Sequence, residues 1–273
     1  MTRGMAHLPE YAIEAALLGL FMVSACAFGV LLEHPVSVVH QSLPDPNVRR
    51  FLMGMAMGTT AVALIYSPWG GRSGAHFNPS VTAVFYWLGR ISGRDAIGYI
   101  AAQFIGGLAG VLLAKALLGE RLAHPRVGYV LTQPGAFGVG AAFLGEVGIS
   151  ALLMGTVVAL IGTPLARWTG VFCGVLVMLF ITLEAPLSGM SMNPARSFAS
   201  AAGADSWEVL WLYFLAPPLG MGLGAAIAGR LRATTACPKL YHPDRQPCIF
   251  CGHLPTPKLH RGPAAAPGED AAA

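Results

Sequence analysis

Two copies of an Asn-Pro dipeptide are the residues of this chain best suited to chemistry. They lie 115 residues apart, in Asn78-Pro79-Ser80 and in Asn193-Pro194-Ala195, and each follows a Ser-Gly pair. Proline suits the first turn of a helix and asparagine caps one, so each copy predicts a helix that starts beside a side-chain amide. Where two such helix starts meet, their dipoles and amides favour a neutral molecule with a lone pair over a cation.

The composition predicts that these helix starts lie in a lipid bilayer. The chain has 273 residues, of which 55% are hydrophobic and 11% charged, and its mean hydropathy is +0.60. Soluble proteins carry about twice that charged fraction. The net charge is +4, but the basic residues are scattered, so we expect no nucleic-acid partner.

The order of the apolar runs predicts an all-α membrane protein of six transmembrane helices and two re-entrant half-helices. The half-helices, about 79–89 and 194–202, start at the Asn-Pro motifs and are too short to span. Because each half has an odd number of spans, the second repeat (119–232) is inverted relative to the first (1–118), and a tail (233–273) follows. The predicted spans are 11–32, 50–66, 96–118, 137–161, 168–185 and 208–231.

The distribution of basic residues predicts the orientation. Eleven of the 17 Lys and Arg residues fall on one side when both termini are placed there. The excess of positive charge marks the cytoplasmic side. We therefore expect a multi-pass protein of the cell (inner) membrane with both termini in the cytoplasm.

Five polar residues in the spans or beside the Asn-Pro motifs need partners, because a polar or ionisable group at membrane depth is costly unless it is paired or faces water. Glu14 and Glu146 lie in the first span of each half, and Gln103 lies in the third span. Arg196 lies three residues after Asn193. His76 comes two residues before Asn78, and it either lines the vestibule or makes structural hydrogen bonds.

From about residue 11 to 231 the chain resembles the aquaporin (major intrinsic protein) channels, most specifically in Ser73-Gly74-Ala75-His76-Phe77-Asn78-Pro79 and Asn193-Pro194-Ala195-Arg196-Ser197-Phe198. The resemblance implies one pore per subunit, no pore cofactor and a homotetramer. It implies that Glu14 and Glu146 accept hydrogen bonds from backbone N–H groups of the re-entrant loops. It also implies that Arg196 lines the outer constriction.

The same resemblance assigns the selectivity filter to Met57, Ile181, Met190 and Arg196, with Gly58 as the alternative to Met57. A water-only member of the family usually has Phe and His at the first two positions. The filter of this chain is therefore apolar except for Arg196. Water remains the expected solute, and other small neutral solutes such as glycerol or ammonia become plausible substrates.

The tail contains a cluster of metal-ligating residue types. Cys248 and Cys251 have the two-residue spacing that chelates zinc, and Cys237 with a histidine, His253, completes a set of four. The alternatives are free reduced thiols or a redox pair. The rest of the Pro-rich tail is expected to be mostly disordered.

The sequence thus predicts a passive channel for water and small neutral solutes that excludes ions and protons, and not an enzyme. One alternative is a glycerol or ammonia facilitator on the same fold. The other is a non-conducting membrane protein whose tail senses a metal.

Overall fold

The computed structural model describes residues 7–231, 237–243 and 247–253. Within these ranges the chain is helical and contains six helices long and apolar enough to cross a membrane. The helices are α1 (Leu8–Glu33), α2 (Val38–Ser42), α3 (Pro46–Tyr66), α4 (Pro68–Ser73), α5 (Pro79–Trp87), α6 (Gly93–Leu118), α7 (Glu120–Ala123), α8 (Gly138–Leu160), α9 (Thr169–Leu183), α10 (Ala185–Ser188), α11 (Pro194–Ala204) and α12 (Leu210–Leu231).

The predicted fold class is confirmed, with α1, α3, α6, α8, α9 and α12 as the spans and α5 and α11 as the half-helices. The short helices α4 and α10 were not predicted. Each ends at a glycine in the left-handed region, Gly74 (φ 102°) and Gly189 (φ 83°), where the chain turns into a re-entrant loop. The predicted bounds of the two repeats and of the tail stay predictions.

The bundle has two ends, which we name by the chain. The terminal face is the end at which α1 begins and α12 ends, and the distal face is the other end. Because the spans alternate in direction, α3, α8 and α12 run toward the terminal face, whereas α1, α6 and α9 run away from it.

The packing of the helices has the two-fold pattern of an inverted repeat. In the first half α1 packs along α6, and in the second half α8 packs along α12 in the same way. The second spans of the two halves, α3 and α9, pack against each other. Each half-helix also packs against the last span of the other half, α5 against α12 and α11 against α6.

Glycines without room for a side chain bring the paired spans together. A Cβ atom built on Gly106 of α6 would lie 2.0 Å from the carbonyl oxygen of Ala15 in α1. A Cβ atom built on Gly110 would lie 2.4 Å from the carbonyl oxygen of Gly19, also in α1. The contact between α12 and α8 repeats this, because Gly224 meets the carbonyl oxygen of Ala151 at 2.0 Å. Small residues at such crossings are typical of helix pairs in membranes.

The outer surface of the bundle carries large apolar side chains. Ile97, Ile105, Leu144, Leu183 and Leu219 are among them, and each is more than half exposed. In a membrane protein such residues contact lipid tails.

We predict that Gly224→Ala destabilises the protein, because the new methyl group would push α12 away from the Ala151 backbone. Overpacking of this kind costs about 1–3 kcal/mol. The matched control is Gly222→Ala in the same helix, where a Cβ atom has no neighbour within 4 Å. Thermal unfolding in detergent checks the prediction, and equal midpoints for the two variants would contradict it.

Candidate pore

The two half-helices start at the asparagines of the repeated motif. Asn78 caps α5 and accepts from the backbone N–H of Ser80 (2.9 Å), with Pro79 in the first turn. Asn193 caps α11 and accepts from the backbone N–H groups of Ala195 (3.1 Å) and Arg196 (3.2 Å). Both side-chain oxygens are therefore used by the helix starts, as capping requires.

The side-chain amides of the two asparagines join the half-helices to each other. Asn78 Nδ2 donates to the carbonyl oxygen of Met192 (2.8 Å), and Asn193 Nδ2 donates to the carbonyl oxygen of Phe77 (2.9 Å). Each amide thus contacts the residue before the other asparagine. Since a primary amide has two hydrogens, each Asn keeps one N–H donor for a molecule beside it.

Glu14 of α1 holds the first re-entrant loop. Its Oε1 accepts from the Ser73 hydroxyl (2.7 Å) and the His76 backbone N–H (3.1 Å). Its Oε2 accepts from the Phe77 backbone N–H (2.6 Å) and from Gln103 Nε2 of α6 (2.8 Å). The carboxylate is fully buried, so these charge-assisted hydrogen bonds satisfy a group that would otherwise be costly there.

Glu146 of α8 holds the second loop in the same manner. Its Oε1 accepts from the Ser188 hydroxyl (2.9 Å) and the Ser191 backbone N–H (2.6 Å), and its Oε2 accepts from the Met192 backbone N–H (2.8 Å). The position that corresponds to Gln103 is Pro217 of α12, which has no side-chain donor. The second carboxylate therefore makes one hydrogen bond fewer.

The re-entrant loops contain matching non-glycine residues in the left-handed backbone region. Ala75 (φ 55°) corresponds to Met190 (φ 50°), and Phe77 (φ 27°) corresponds to Met192 (φ 54°). This conformation is uncommon for residues with a Cβ atom and persists only where surrounding contacts impose it. Here the hydrogen bonds to the two carboxylates impose it.

A cavity of about 370 Å³ runs past both asparagines and through the bundle. Residues of α3 line it at intervals of about one helical turn along the whole helix, from Pro46 to Ile65. Residues of α9 line it at the same intervals from Cys173 to Ile181. The distal half of α1, the terminal half of α8 at Leu153 and Val157, the two re-entrant loops, and Val127 and Val130 of the loop before α8 also line it. The inverted repeat thus builds one continuous and mostly apolar passage.

The four residues assigned to the filter all line this cavity. Met57 is the residue of the wall, whereas Gly58 faces α9, where its Cβ atom would lie 2.5 Å from the carbonyl oxygen of Gly174. The sulfur of Met57 lies 4.0 Å from the hydroxyl of Ser24. The filter wall therefore combines two Met side chains, Ile181 and one guanidinium.

Arg196 is the charged residue among the four assigned to the filter. Its backbone N–H is used in the cap of α11. Its Nη1 is buried and has no hydrogen-bond partner among the described residues. A donor left unpaired beside a cavity is available to the oxygen of a passing molecule, and its positive charge repels cations.

The tail lines part of the cavity at the terminal face. His76 Nε2 donates to the carbonyl oxygen of Pro238 (2.7 Å), since that oxygen can only accept, and Nδ1 lies 3.0 Å from Thr82 Oγ1. The backbone N–H of Leu240 donates to the carbonyl oxygen of Gly74 (3.1 Å). Leu240 is itself 5% exposed and is part of the cavity wall.

A buried lysine ties the same segment to α4. Lys239 is 2% exposed, and its Nζ donates to the carbonyl oxygens of Gly71 and Arg72, both at 2.9 Å. These carbonyls belong to the last turn of α4, where acceptors lack helical partners and favour a cation. Residues 237–243 and 247–253, which contain the predicted Cys/His cluster, pack here, and the rest of the tail, which was expected to be mostly disordered, lies outside the described ranges.

Three of the four metal ligands named from the sequence, Cys237, Cys248 and Cys251, come together beside this segment. The histidine that joins them is His242, not His253, and the four ligand atoms all lie within 4.8 Å of one another. The hydrogen bond from Cys237 lowers the pKa of the Cys248 thiol below its usual range. The sequence alone could not choose between the two histidines.

Comparisons with known proteins agree with this geometry. A family model described as Major intrinsic protein matches residues 10–228. A probable aquaporin NIP7-1 of Arabidopsis thaliana is 30% identical over 240 residues, which cover 86% of this chain and 82% of that protein. A glycerol uptake facilitator protein-like 6 of Lactiplantibacillus plantarum is 34% identical over 181 residues, which cover 64% of this chain and 82% of the relative.

A solved structure has the same fold. The X-ray structure of the aquaglyceroporin from Plasmodium falciparum superposes with a TM-score of 0.66, at 15% sequence identity, over 81% of this chain and 95% of that one. The chain belongs to the major intrinsic protein family, and it is a membrane channel of the aquaporin and glycerol-facilitator kind.

We predict that Glu146→Gln destabilises the second re-entrant loop. An amide presents N–H₂ where the carboxylate accepts, so one backbone N–H of Ser191 or Met192 loses its acceptor. The expected loss is about 1.5–3 kcal/mol in the free energy of unfolding. Glu208→Gln, at an exposed site, is the matched control. Thermal unfolding in detergent measures both, and a shift no larger than that of the control would remove Glu146 from its supporting role.

Proposed function

We propose that this protein conducts water, and small neutral solutes besides, through the cavity while it excludes ions and protons. The observation that carries the proposal is the meeting of α5 and α11 at Asn78 and Asn193. Two helix N-termini and two free amide N–H donors face the same passage there. Their field favours the oxygen of a neutral molecule and opposes a cation.

A second candidate function is the passage of glycerol or ammonia. The observation in its favour is the filter, where Met57, Ile181 and Met190 offer apolar walls and Arg196 offers the one charged donor. Unbranched Met side chains adapt to solutes of different shape. The similarity to a glycerol uptake facilitator protein-like relative also supports this function.

We also propose the membrane, the orientation and the oligomeric state of the channel. The excess of Lys and Arg residues at the terminal face supports a cytoplasmic location for that face and for both termini, in the cell membrane. We further propose a homotetramer, as the family resemblance implies, and no enzymatic activity.

Water flux tests the main function. Full-length protein is reconstituted into proteoliposomes with reductant and a chelator of divalent metals, and shrinkage is followed after an osmotic step. We expect faster shrinkage than in empty vesicles with impermeant solute, and separate steps with glycerol and ammonia rank the two candidates. Water flux equal to that of empty vesicles would sink the proposal.

We predict that Arg196→Val leaves the fold intact and lets cations and larger solutes leak. At an effective dielectric constant of about 20, a unit charge about 4 Å away repels a cation by roughly 4 kcal/mol. Removing that charge should raise cation leakage by about tenfold or more. A cation-sensitive dye inside the vesicles measures the leak, and Arg121→Val at the exposed distal end is the control. Unchanged selectivity would take Arg196 out of the filter.

A further inference from the structure

We infer that Cys237, His242, Cys248 and Cys251 bind one Zn²⁺ ion, and that the bound ion holds Leu240 in the terminal mouth and closes the channel. The inference rests on the proposed function, because it treats the cavity as the conduction path. Its two parts, the metal site and the closure, are supported by different contacts.

The donor set suits zinc. Three thiols and one imidazole are the ligands that zinc takes in structural sites. The Sγ atoms of Cys237 and Cys248 lie 3.4 Å apart, and His242 Nε2 lies 3.3 Å from Cys251 Sγ. Ligand atoms of a tetrahedral zinc site are about 3.5–3.8 Å apart, given bonds of about 2.3 Å to sulfur and about 2.0 Å to nitrogen. The site thus needs only small movements to accept the ion.

The backbone from Cys248 to Gly252 forms a turn that brings two of the proposed ligands together. The N–H of Gly252 donates to the carbonyl oxygen of Cys248 (3.1 Å), which closes a turn, and Gly252 leaves that turn with φ +70°. The Sγ atoms of Cys248 and Cys251 lie within 4.8 Å of each other across this turn. One ion can therefore bind both sulfurs.

A disulfide would involve fewer of these four side chains than a metal ion. It would use two of the three sulfurs, at a separation of about 2.05 Å, and would leave the remaining thiol and the imidazole without a role. A single metal ion uses all four groups. We therefore favour the ion, and a disulfide becomes an outcome of the test.

The ligands bracket the segment that closes the mouth. Cys237 directly precedes Pro238-Lys239-Leu240-Tyr241, and His242 directly follows it. An ion bound to both would close this segment into a loop and hold its ends together. Such a loop presents Leu240 to the cavity with less loss of chain entropy than an open segment.

A second pair of ligands holds an aromatic contact at the same mouth. Phe250 lies between Cys248 and Cys251, and its ring stacks on His76 with centroids 6.1 Å apart. It also meets the edge of Tyr99 at 6.0 Å. The Tyr241 ring packs against Tyr66 at the end of α3, at 4.9 Å. One ion therefore joins both parts of the tail that contact the bundle.

The preference of zinc for the closed state sets how strongly zinc shifts the channel toward closure. A ligand that binds only the closed state, at about 100 times its Kd, favours that state about 100-fold. Free zinc in the cytoplasm would then control whether the mouth is open. Chelation of the metal opens the channel, and so does oxidation of the ligand thiols.

Zinc content tests the site without any flux measurement. The full-length protein, purified with reductant and dialysed against buffered zinc, should hold one zinc per chain, and His242→Asn should lower the affinity for zinc strongly. His253→Asn is the matched control and should keep the zinc. Failure to bind zinc, or a Cys237–Cys248 disulfide whose reduction restores no zinc binding, would overturn the site.

Flux and hydrogen exchange then test the closure. In proteoliposomes, zinc at about 100 times its Kd should reduce water flux by at least about tenfold, and a chelator should restore it. Zinc should also slow amide exchange in residues 237–243 and 247–251. Lys239→Met should bind zinc yet conduct in its presence, because the tail loses its bonds to α4. Lys115→Met, near the distal end of α6, is the control.

The outcomes separate the two proposals. Zinc binding without any change in flux or in amide exchange would overturn the closure. Zinc-dependent protection of residues 237–243 and 247–251 from amide exchange, with no water flux in any state, would support the docked tail and contradict the proposed channel function instead.

Discussion

Non-helical backbone in the middle of the bundle is the constraint on which the rest of the structure depends. A bilayer offers no water to its N–H and C=O groups, so the protein itself must satisfy them. Glu14 and Glu146 accept from the N–H groups of the two re-entrant loops, and the asparagine amides reach the carbonyls of Phe77 and Met192. The loops, the half-helix starts and the passage between them follow from these bonds.

The two halves differ in the segment that covers the re-entrant turn. In the second half the distal loop covers the re-entrant turn, because a Cβ atom on Gly189 would meet the backbone of Gln133 at 2.6 Å. In the first half, residues of the tail cover the corresponding Gly74, whose Cβ atom would meet Lys239 at 3.0 Å. The loop between α7 and α8 contributes Val127 and Val130 to the cavity wall, and the tail contributes Leu240. The same geometric position is therefore covered by an inter-helix loop at one end and by the tail at the other.

The sequence predicted most of the fold because the apolar runs and the Asn-Pro motifs report local physics. Span length, helix capping and the repeat are visible in consecutive residues, and they place the helix starts correctly. The contribution of Met53 to the wall could have been found from its position one turn before Met57 on the same helix face. The role of Leu240 could not, because no local pattern indicates that a residue after the last span folds back on the bundle. The choice of His242 over His253 depends on the same long-range packing.

The short distance along the chain between α12 and the docked part of the tail has a consequence for binding strength. Cys237 comes only six residues after Leu231, where α12 ends. Such a connection spans at most about 20 Å, so the tail stays near the mouth even when it is not bound. A link of this length gives an effective concentration in the millimolar range. Contacts too weak to hold two separate molecules together are therefore enough to dock the tail at the mouth. A segment held by weak contacts also dissociates from the mouth quickly.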